Sequence, residues 1–98
     1  MANSQSNRFV GPVIKNGEIG DAIMEAVYED NAGREIEMEE HASYVRIKVQ
    51  RECVIRFDTV ADMLGREVTR SDIEANMPAL EGFIRVDSQK MRFLASVE

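Results

Sequence analysis

The pattern of hydrophobic and polar positions predicts a small domain that mixes helices with strands. Between Ile19 and Val27 the apolar residues recur every three or four positions, which is typical of an amphipathic helix with one buried face. Between Tyr44 and Val49 they alternate strictly, which predicts a strand with one buried side. These two segments are the best-defined elements of the chain.

Two weaker patterns predict strands in the first half of the chain. Residues 9–15 are apolar but contain Gly11-Pro12. Because proline donates no ladder hydrogen bond, we expect an edge strand or an extended arm at the rim of the sheet. Residues 34–40 alternate, with Ile36 and Met38 on one side and charges on the other, which predicts a short half-buried strand.

The remaining strands are predicted to form hairpins. Residues 53–57 continue the alternation of residues 44–49, so residues 49–53 are expected to connect these two strands as a hairpin. Residues 83–86 and 90–94 are separated by three polar residues, which predicts a terminal hairpin.

Capping residues mark the ends of the first two helices. Asn16 is placed to cap the first helix, and the sequence Asn31-Ala32-Gly33 ends it. Asp58 or Thr59 is expected to cap a short second helix that closes at Gly65, because glycine readily adopts the left-handed conformation of a helix end.

A third helix completes the predicted order of elements. Thr69 followed three residues later by Asp72 indicates its start, and it is expected to run to about Met77, where the following proline ends it. The order β-α-β-β-β-α-α-β-β is typical of an α+β fold, a single small domain with helices packed on a largely antiparallel sheet. We expect residues 9–98 to form this domain and residues 1–8, which are mostly small and polar, to form a flexible N-terminal tail.

The distribution of charge favours a protein partner over nucleic acid or a membrane. Residues 1–42 contain nine acidic and three basic side chains, whereas residues 43–98 contain nine of each, so the net charge of −6 lies in the first segment. A neutral or basic protein surface fits this distribution, although surplus acid also simply keeps a small domain soluble. On the first helix Asp21, Glu25 and Glu29 form an acidic row, which is a secondary candidate surface.

The side chains that usually carry chemistry are few and poorly placed. Carboxylates beside His41 favour its charged form, which is not the form that binds metal, and strand alternation separates Glu37 and Glu39 from Glu40. Cys53 lies within an apolar run and is expected to be buried, as a free thiol in a reducing compartment. The cytoplasm is therefore the expected location, and no segment has the length and hydropathy of a membrane span.

Basic residues on the predicted strands leave two interpretations open. Arg46 and Lys48, with Arg56 and either Arg85 or Arg92 on neighbouring strands, form a basic strip if the strands share one open sheet face. The alternative is an ordinary solvated strand face. In either case acids elsewhere offset these cations one for one, which argues against nucleic-acid binding.

Three short phrases in the middle of the chain carry a family resemblance. They are Tyr44-Val45-Arg46-Ile47, Leu64-Gly65-Arg66 and Asn76-Met77-Pro78-Ala79-Leu80-Glu81-Gly82. With Val10-Gly11-Pro12 before them, the chain resembles the effector proteins of bacterial multicomponent diiron monooxygenases, also called coupling or regulatory proteins. The proline-containing arm looks most like the toluene and alkene members, and the Asn-Met-Pro phrase is also similar to the phenol hydroxylase members.

Two positions depart from the family pattern. Gln50-Arg51-Glu52 occupies a turn that usually contains glycine, which puts the geometry of the predicted hairpin in question. In the last phrase, Leu80 and Glu81 stand where phenylalanine and alanine are familiar, so local packing against a partner is expected to differ.

The resemblance implies a protein without cofactor or catalytic residue. It implies docking on the large subunit of a hydroxylase, above a diiron centre that the partner alone holds. Docking is then expected to tune oxygen activation, substrate access and the coupling of NADH use to hydroxylation or epoxidation, for example in aromatic hydrocarbon catabolism. The free protein is expected to be a monomer.

The candidate docking residues follow from the same phrases, with Met77 expected as an exposed apolar anchor before Pro78. They are Asn76, Met77, Gly65, Arg66, Tyr44 and Arg46. Two other functions remain open at this point. One is a free-standing α+β domain that senses a small ligand between helix and sheet, and the other is a small enzyme that uses an acid pair with His41.

Overall fold

The computed structural model describes residues 8–97 and folds them into seven strands and three helices. In chain order the elements are β1 (Phe9–Lys15), α1 (Glu18–Asp30), β2 (Ile36–Glu40), β3 (Tyr44–Gln50), β4 (Glu52–Arg56), α2 (Phe57–Leu64), α3 (Arg70–Ala75), β5 (Ala79–Glu81), β6 (Phe83–Val86) and β7 (Lys90–Leu94). The predicted tail lies outside the described residues apart from Arg8. The Arg8 guanidinium pairs with the Glu81 carboxylate and donates to the backbone oxygen of Ala95 at 3.0 Å.

The strands pair antiparallel throughout and form two sheets rather than one. Sheet A has the order β2-β3-β1-β5, and sheet B has the order β4-β7-β6. The α+β class and the terminal hairpin of β6 and β7 are confirmed. The hairpin predicted at residues 49–53 is wrong, because β3 and β4 belong to different sheets.

The chain leaves sheet A for sheet B at Arg51, in the turn that the family resemblance expects to contain glycine. Arg51 has a φ of 75°, a left-handed conformation that is uncommon for residues other than glycine. Its N–H donates to the Arg8 oxygen at 2.8 Å, and its own oxygen accepts from the Ala95 N–H at 3.1 Å. Both backbone groups are therefore bonded while the chain turns away from β3 instead of folding back on it.

A second crossover between the sheets lies at Gly82, after a strand that the sequence pattern did not predict. All three residues of β5 are exposed, so no alternation marks this strand. It forms because β1 offers a free edge, on which Leu80 pairs with Pro12. Gly82 then turns the chain into β6 with a φ of 108°.

The prediction that β1 lies at the rim is wrong, since β1 lies between β3 and β5. On the β3 side the pairing runs through Val10 with Val49 and resumes at Val13 with Arg46, so the paired positions skip Gly11-Pro12. A proline in an inner strand is tolerated here because the ladder is interrupted where the proline lacks its donor.

The core lies between the helices and the inner faces of both sheets. Six of its largest fully buried side chains come from six different elements: Phe93, Ile14, Ile23, Ile47, Ile55 and Ile73. The predicted buried face of α1 is confirmed, with Ile19 partly buried and the other four positions buried: Ala22, Ile23, Ala26 and Val27. None of the helices in residues 8–97 has the length and hydropathy to cross a membrane.

The end of α1 covers the outer edge of β4, a contact that the sequence pattern did not reveal. The buried Asn31 side chain donates to the Val54 oxygen and accepts from the Val54 N–H, both at 2.8 Å. Asp30 accepts from the Arg56 N–H at 2.9 Å. Two side chains thus satisfy backbone groups that a further strand would otherwise bond.

The predicted helix caps have mixed outcomes. The capping box of Thr69 and Asp72 and the left-handed end at Gly65 are confirmed. Asn16 does not cap α1, because Gly17 holds the cap position and the Asn16 amide donates to the Ala42 oxygen at 2.9 Å. Neither Asp58 nor Thr59 caps α2, which begins earlier, at Phe57.

Candidate interaction surface

The segment from Lys15 to Glu18, which joins β1 to α1, is the point around which most of the candidate docking residues gather. Lys15 pairs with Tyr44 at the start of β3. The Lys15 N–H donates to the Asn76 oxygen at 2.8 Å, which ties the end of α3 to the end of β1. Tyr44 and Asn76 therefore flank the same residue from two sides.

The end of α2 reaches the same segment. Gly65 closes α2 in the left-handed conformation, and its N–H donates to the Ala61 oxygen at 2.8 Å. The following Arg66 extends its guanidinium to the Glu18 carboxylate, 3.2 Å away, at the start of α1. Both side chains are largely exposed, so this ion pair adds little stability and stays available to a partner.

The corner residues Asn76 and Met77 are less exposed than the sequence suggested. The Asn76 amide donates to the Asp72 oxygen at 2.9 Å and so closes α3. Met77 is half-buried and packs against the core, which corrects the expectation of an exposed anchor. The reason is the unpredicted strand β5, which holds the corner against β1. A partner can reach only part of the Met77 side chain.

Arg46 follows Tyr44 by two residues on β3 and lies on the open face of sheet A. The neighbouring strand β2 places carboxylates beside it. Its guanidinium lies 3.5 Å from the Glu39 carboxylate, and Lys48 lies 3.6 Å from the same carboxylate and 3.7 Å from Glu37. The basic strip considered from the sequence is wrong in two respects. Acids of β2 neutralise Arg46 and Lys48, and the other cations lie on sheet B.

His41 lies at the exposed turn between β2 and β3 and takes part in this network. Its ring stacks on Tyr44 with centroids 4.5 Å apart, and its Nε2 lies 3.4 Å from the Glu39 carboxylate. The hydrogen bond from His41, followed by the charge of Lys48, lowers the pKa of Glu39. An acid held ionised in this way is poorly suited to donate a proton near neutral pH.

The other candidate nucleophile is inaccessible. Cys53 is fully buried in β4, and desolvation raises the pKa of its thiol far above the usual range. Within residues 8–97 no three His, Cys, Asp or Glu side chains converge as metal ligands would. The arrangement can present charge and shape to a partner, and it offers no catalytic constellation in the described part of the chain.

A surface groove of about 480 Å³ bears on the small-ligand alternative. It lies between the start of α2, the start of α3 and the turn from β6 to β7, and its apolar lining comes from Phe57, Val68 and Val86. The groove does not touch the surface around Lys15, so ligand sensing and docking would use different parts of the molecule.

Sequence reasoning missed Lys15 and Glu18 as members of this surface. Neither belongs to a family phrase, and both are placed by contacts with residues far along the chain. The one available signal was their position at the junction of a predicted strand and a predicted helix, where connecting residues are exposed.

Comparison with known proteins finds one matching family model and a similar effector subunit. The family model described as MmoB/DmpM family matches residues 8–94. The effector subunit of the alkene monooxygenase system of Xanthobacter autotrophicus is 34% identical over 91 residues, which cover 93% of this chain and 90% of that protein.

Solved structures share the fold over most of the chain. A chain in the structure of a phenol hydroxylase–regulatory protein complex matches with a TM-score of 0.78 and 24% identity, covering 89% of this chain and 98% of that one. Regulatory protein B of soluble methane monooxygenase matches with a TM-score of 0.69 and 19% identity, covering 99% of this chain and 70% of that one.

Proposed function

Because this chain belongs to the MmoB/DmpM family, we propose that it is a cofactor-less effector subunit that docks on the hydroxylase of a multicomponent diiron monooxygenase. The observation that carries the proposal is the family match across residues 8–94, which spans both sheets and all three helices. The proteins to which this chain is similar are named effector and regulatory proteins, in agreement with the prediction that it is not an enzyme.

The mechanism that fits such a subunit is a shift in the hydroxylase conformation. A ligand shifts a conformational equilibrium only through tighter binding to one state, so the effector must contact a region of the hydroxylase that moves. The diiron centre and the reacting atoms stay in the partner. The effector tunes oxygen activation, substrate access and the use of NADH for hydroxylation or epoxidation of a hydrocarbon.

The backbone contacts around Lys15 support a rigid docking surface there. The ends of β1, β3 and α3 are joined by strand pairing and hydrogen bonds, and the exposed Arg66–Glu18 pair brings the end of α2 beside them without fixing it. A surface built from element ends that are fixed in place loses little conformational entropy on binding. We place the docking residues there, with Arg46 at the margin, and propose a cytoplasmic protein that is monomeric when free.

Substitution Met77→Ala is expected to weaken binding to a matching hydroxylase by about 1–2 kcal/mol, which is about 5- to 30-fold in Kd. The reason is the loss of the accessible part of Met77, the only non-aromatic apolar side chain among the six docking residues. Because Met77 also packs on the core, the melting temperature must be measured beside the Kd.

Met38→Ala is the matched control for this experiment. Met38 packs partly buried against the core as Met77 does, but it lies on β2, which contributes no docking residue, so its replacement should leave the Kd within about twofold. Equal Kd values for the wild type and Met77→Ala would remove Met77 from the interface.

A further inference from the structure

The outer face of sheet B carries a second surface with a distinct chemistry. Along this face the cross-strand pairs place Phe83 beside Leu94, Arg85 beside Arg92 and Arg56 beside Lys90. The inner faces of the same strands carry the buried Cys53, Ile55, Met91 and Phe93. Four cations therefore lie together on the solvent side of one three-stranded sheet.

The positive charge of this face is only partly balanced. Glu52 lies on the face and binds Arg92 at 2.6 Å. Two further acids in the described part of the chain, Asp58 and Asp87, lie at the margins, 3.9 Å from Arg56 and 3.7 Å from Lys90. Three of the four cations thus have a carboxylate within 4 Å, and the positive surplus among the described residues of the face is the charge of Arg85. The chain as a whole has a net charge of −6, so its acidic surplus already keeps it soluble. Solubility therefore does not explain why cations are grouped on this face.

Arg85 is the cation that the fold itself uses least. It lies directly opposite Arg92, and like charges at such cross-strand positions destabilise a sheet. Its guanidinium donates to the oxygen of its neighbour Ile84 at 3.0 Å, and it forms no ion pair with any residue in the range 8–97. An arginine in this state presents a planar set of donors that fits a carboxylate from outside the molecule.

Phe83 supplies the apolar part of the same surface. Its side chain is 41% exposed beside the almost fully buried Leu94, two positions before Arg85 on the edge strand β6. Aromatic and arginine side chains are the types that most often dominate binding at protein interfaces. An exposed phenylalanine flanked by an arginine that has no ion pair among residues 8–97 matches that composition.

We propose that the outer face of sheet B, centred on Phe83 and Arg85, docks an acidic patch of the hydroxylase and forms a contact separate from the surface around Lys15. This inference rests on the proposed function, since it assigns a further interface to the same partner. A partner carboxylate between the guanidiniums of Arg85 and Arg92 removes their repulsion, and the Phe83 ring packs beside it.

The test is the Kd of the full chain for a matching hydroxylase, measured by calorimetry for the wild type, Phe83→Ala and Arg85→Glu. The matched control is Arg70→Glu, which makes the same charge change at an exposed position of α3. We expect Arg85→Glu to weaken binding by at least about 30-fold, Phe83→Ala by about 10-fold and Arg70→Glu by no more than about threefold. The melting temperature of Arg85→Glu should not fall, because the substitution replaces a like-charge pair by one of opposite charge.

The outcomes separate this inference from the proposed function. If the wild type binds and Arg85→Glu binds no more weakly than Arg70→Glu, the face does not dock the hydroxylase and the proposed function stands. If the wild type does not bind, the proposed function fails and the inference fails with it. Salt-sensitive self-association of the wild type that Arg85→Glu abolishes, with an unchanged Kd for the hydroxylase, would assign the face to a second copy of the chain and overturn the proposal.

Discussion

Substitution Gly82→Ala is expected to lower the free energy of unfolding by about 3 kcal/mol or more and the melting temperature by about 12–24 °C. Gly82 has a φ of 108°, which residues with a side chain rarely adopt. A Cβ atom there would also lie 2.8 Å from the backbone oxygen of Leu94 and 2.9 Å from Cγ1 of Val10. Because the first neighbour is backbone, the crossover from β5 to β6 must move to make room.

Gly33→Ala is the control that separates the strain of the positive φ from the steric contact of the added Cβ atom. Gly33 has a φ of 90°, but a Cβ atom at Gly33 would meet nothing within 4 Å. This control therefore carries only the backbone strain, about 1 kcal/mol, and thermal unfolding of both variants gives the steric part by difference. A loss for Gly82→Ala equal to that for Gly33→Ala would show that the crossover is not tightly packed.

The second large effect is expected for Asn31→Ala, with a loss of about 2–4 kcal/mol in the free energy of unfolding. The substitution removes the two hydrogen bonds to Val54 and a third from the Asn31 amide to the Val27 oxygen, each 2.8 Å long. It leaves the N–H and oxygen of Val54 without these partners at the edge of sheet B, where the lost hydrogen bonds are partly buried. Denaturant unfolding measures the loss.

Asn16→Ala is the matched control, because Asn16 also donates from its amide to a backbone oxygen but is exposed. Water replaces its partner, so the expected loss is below about 1 kcal/mol. Asn31→Asp should be as harmful as Asn31→Ala near neutral pH, since the carboxylate places an oxygen against two backbone oxygens. Equal stability of Asn31→Ala and Asn16→Ala would contradict the role of Asn31 at this edge.

Local patterns predicted the elements whose identity depends on neighbours in sequence. The buried face of α1, the alternation of β3, the capping box at Thr69 and the helix end at Gly65 follow from contacts within a few residues, and the structure confirms them. The family phrases are also local, because each is a short run of consecutive residues and all occur in the family's order along the chain. They identified the family without knowledge of the fold.

The partition of the strands between two sheets could not be predicted, because it depends on single backbone conformations. An alternating pattern that continues from β3 to β4 fits a hairpin equally well, and only the left-handed Arg51 directs the chain into sheet B. The position of Pro12 in an inner strand depends likewise on β5, which has no pattern of its own.

The candidate docking residues stay a prediction, and only the structure shows how they lie relative to one another. Tyr44, Arg66 and Asn76 lie far apart in sequence, and the contacts that gather them run through Lys15 and Glu18. The exposure of Met77 was predicted wrongly because the packing of a corner depends on the strand that follows it.

The central claim is that this chain acts on a partner oxygenase without performing chemistry itself. Its most direct test is the yield of hydroxylated or epoxidised product per NADH consumed, measured with a matching hydroxylase and reductase as this protein is titrated in. We predict that the yield rises and saturates near one equivalent of protein per docking site, and that the protein alone gives no product. An unchanged yield at saturating protein would contradict the account.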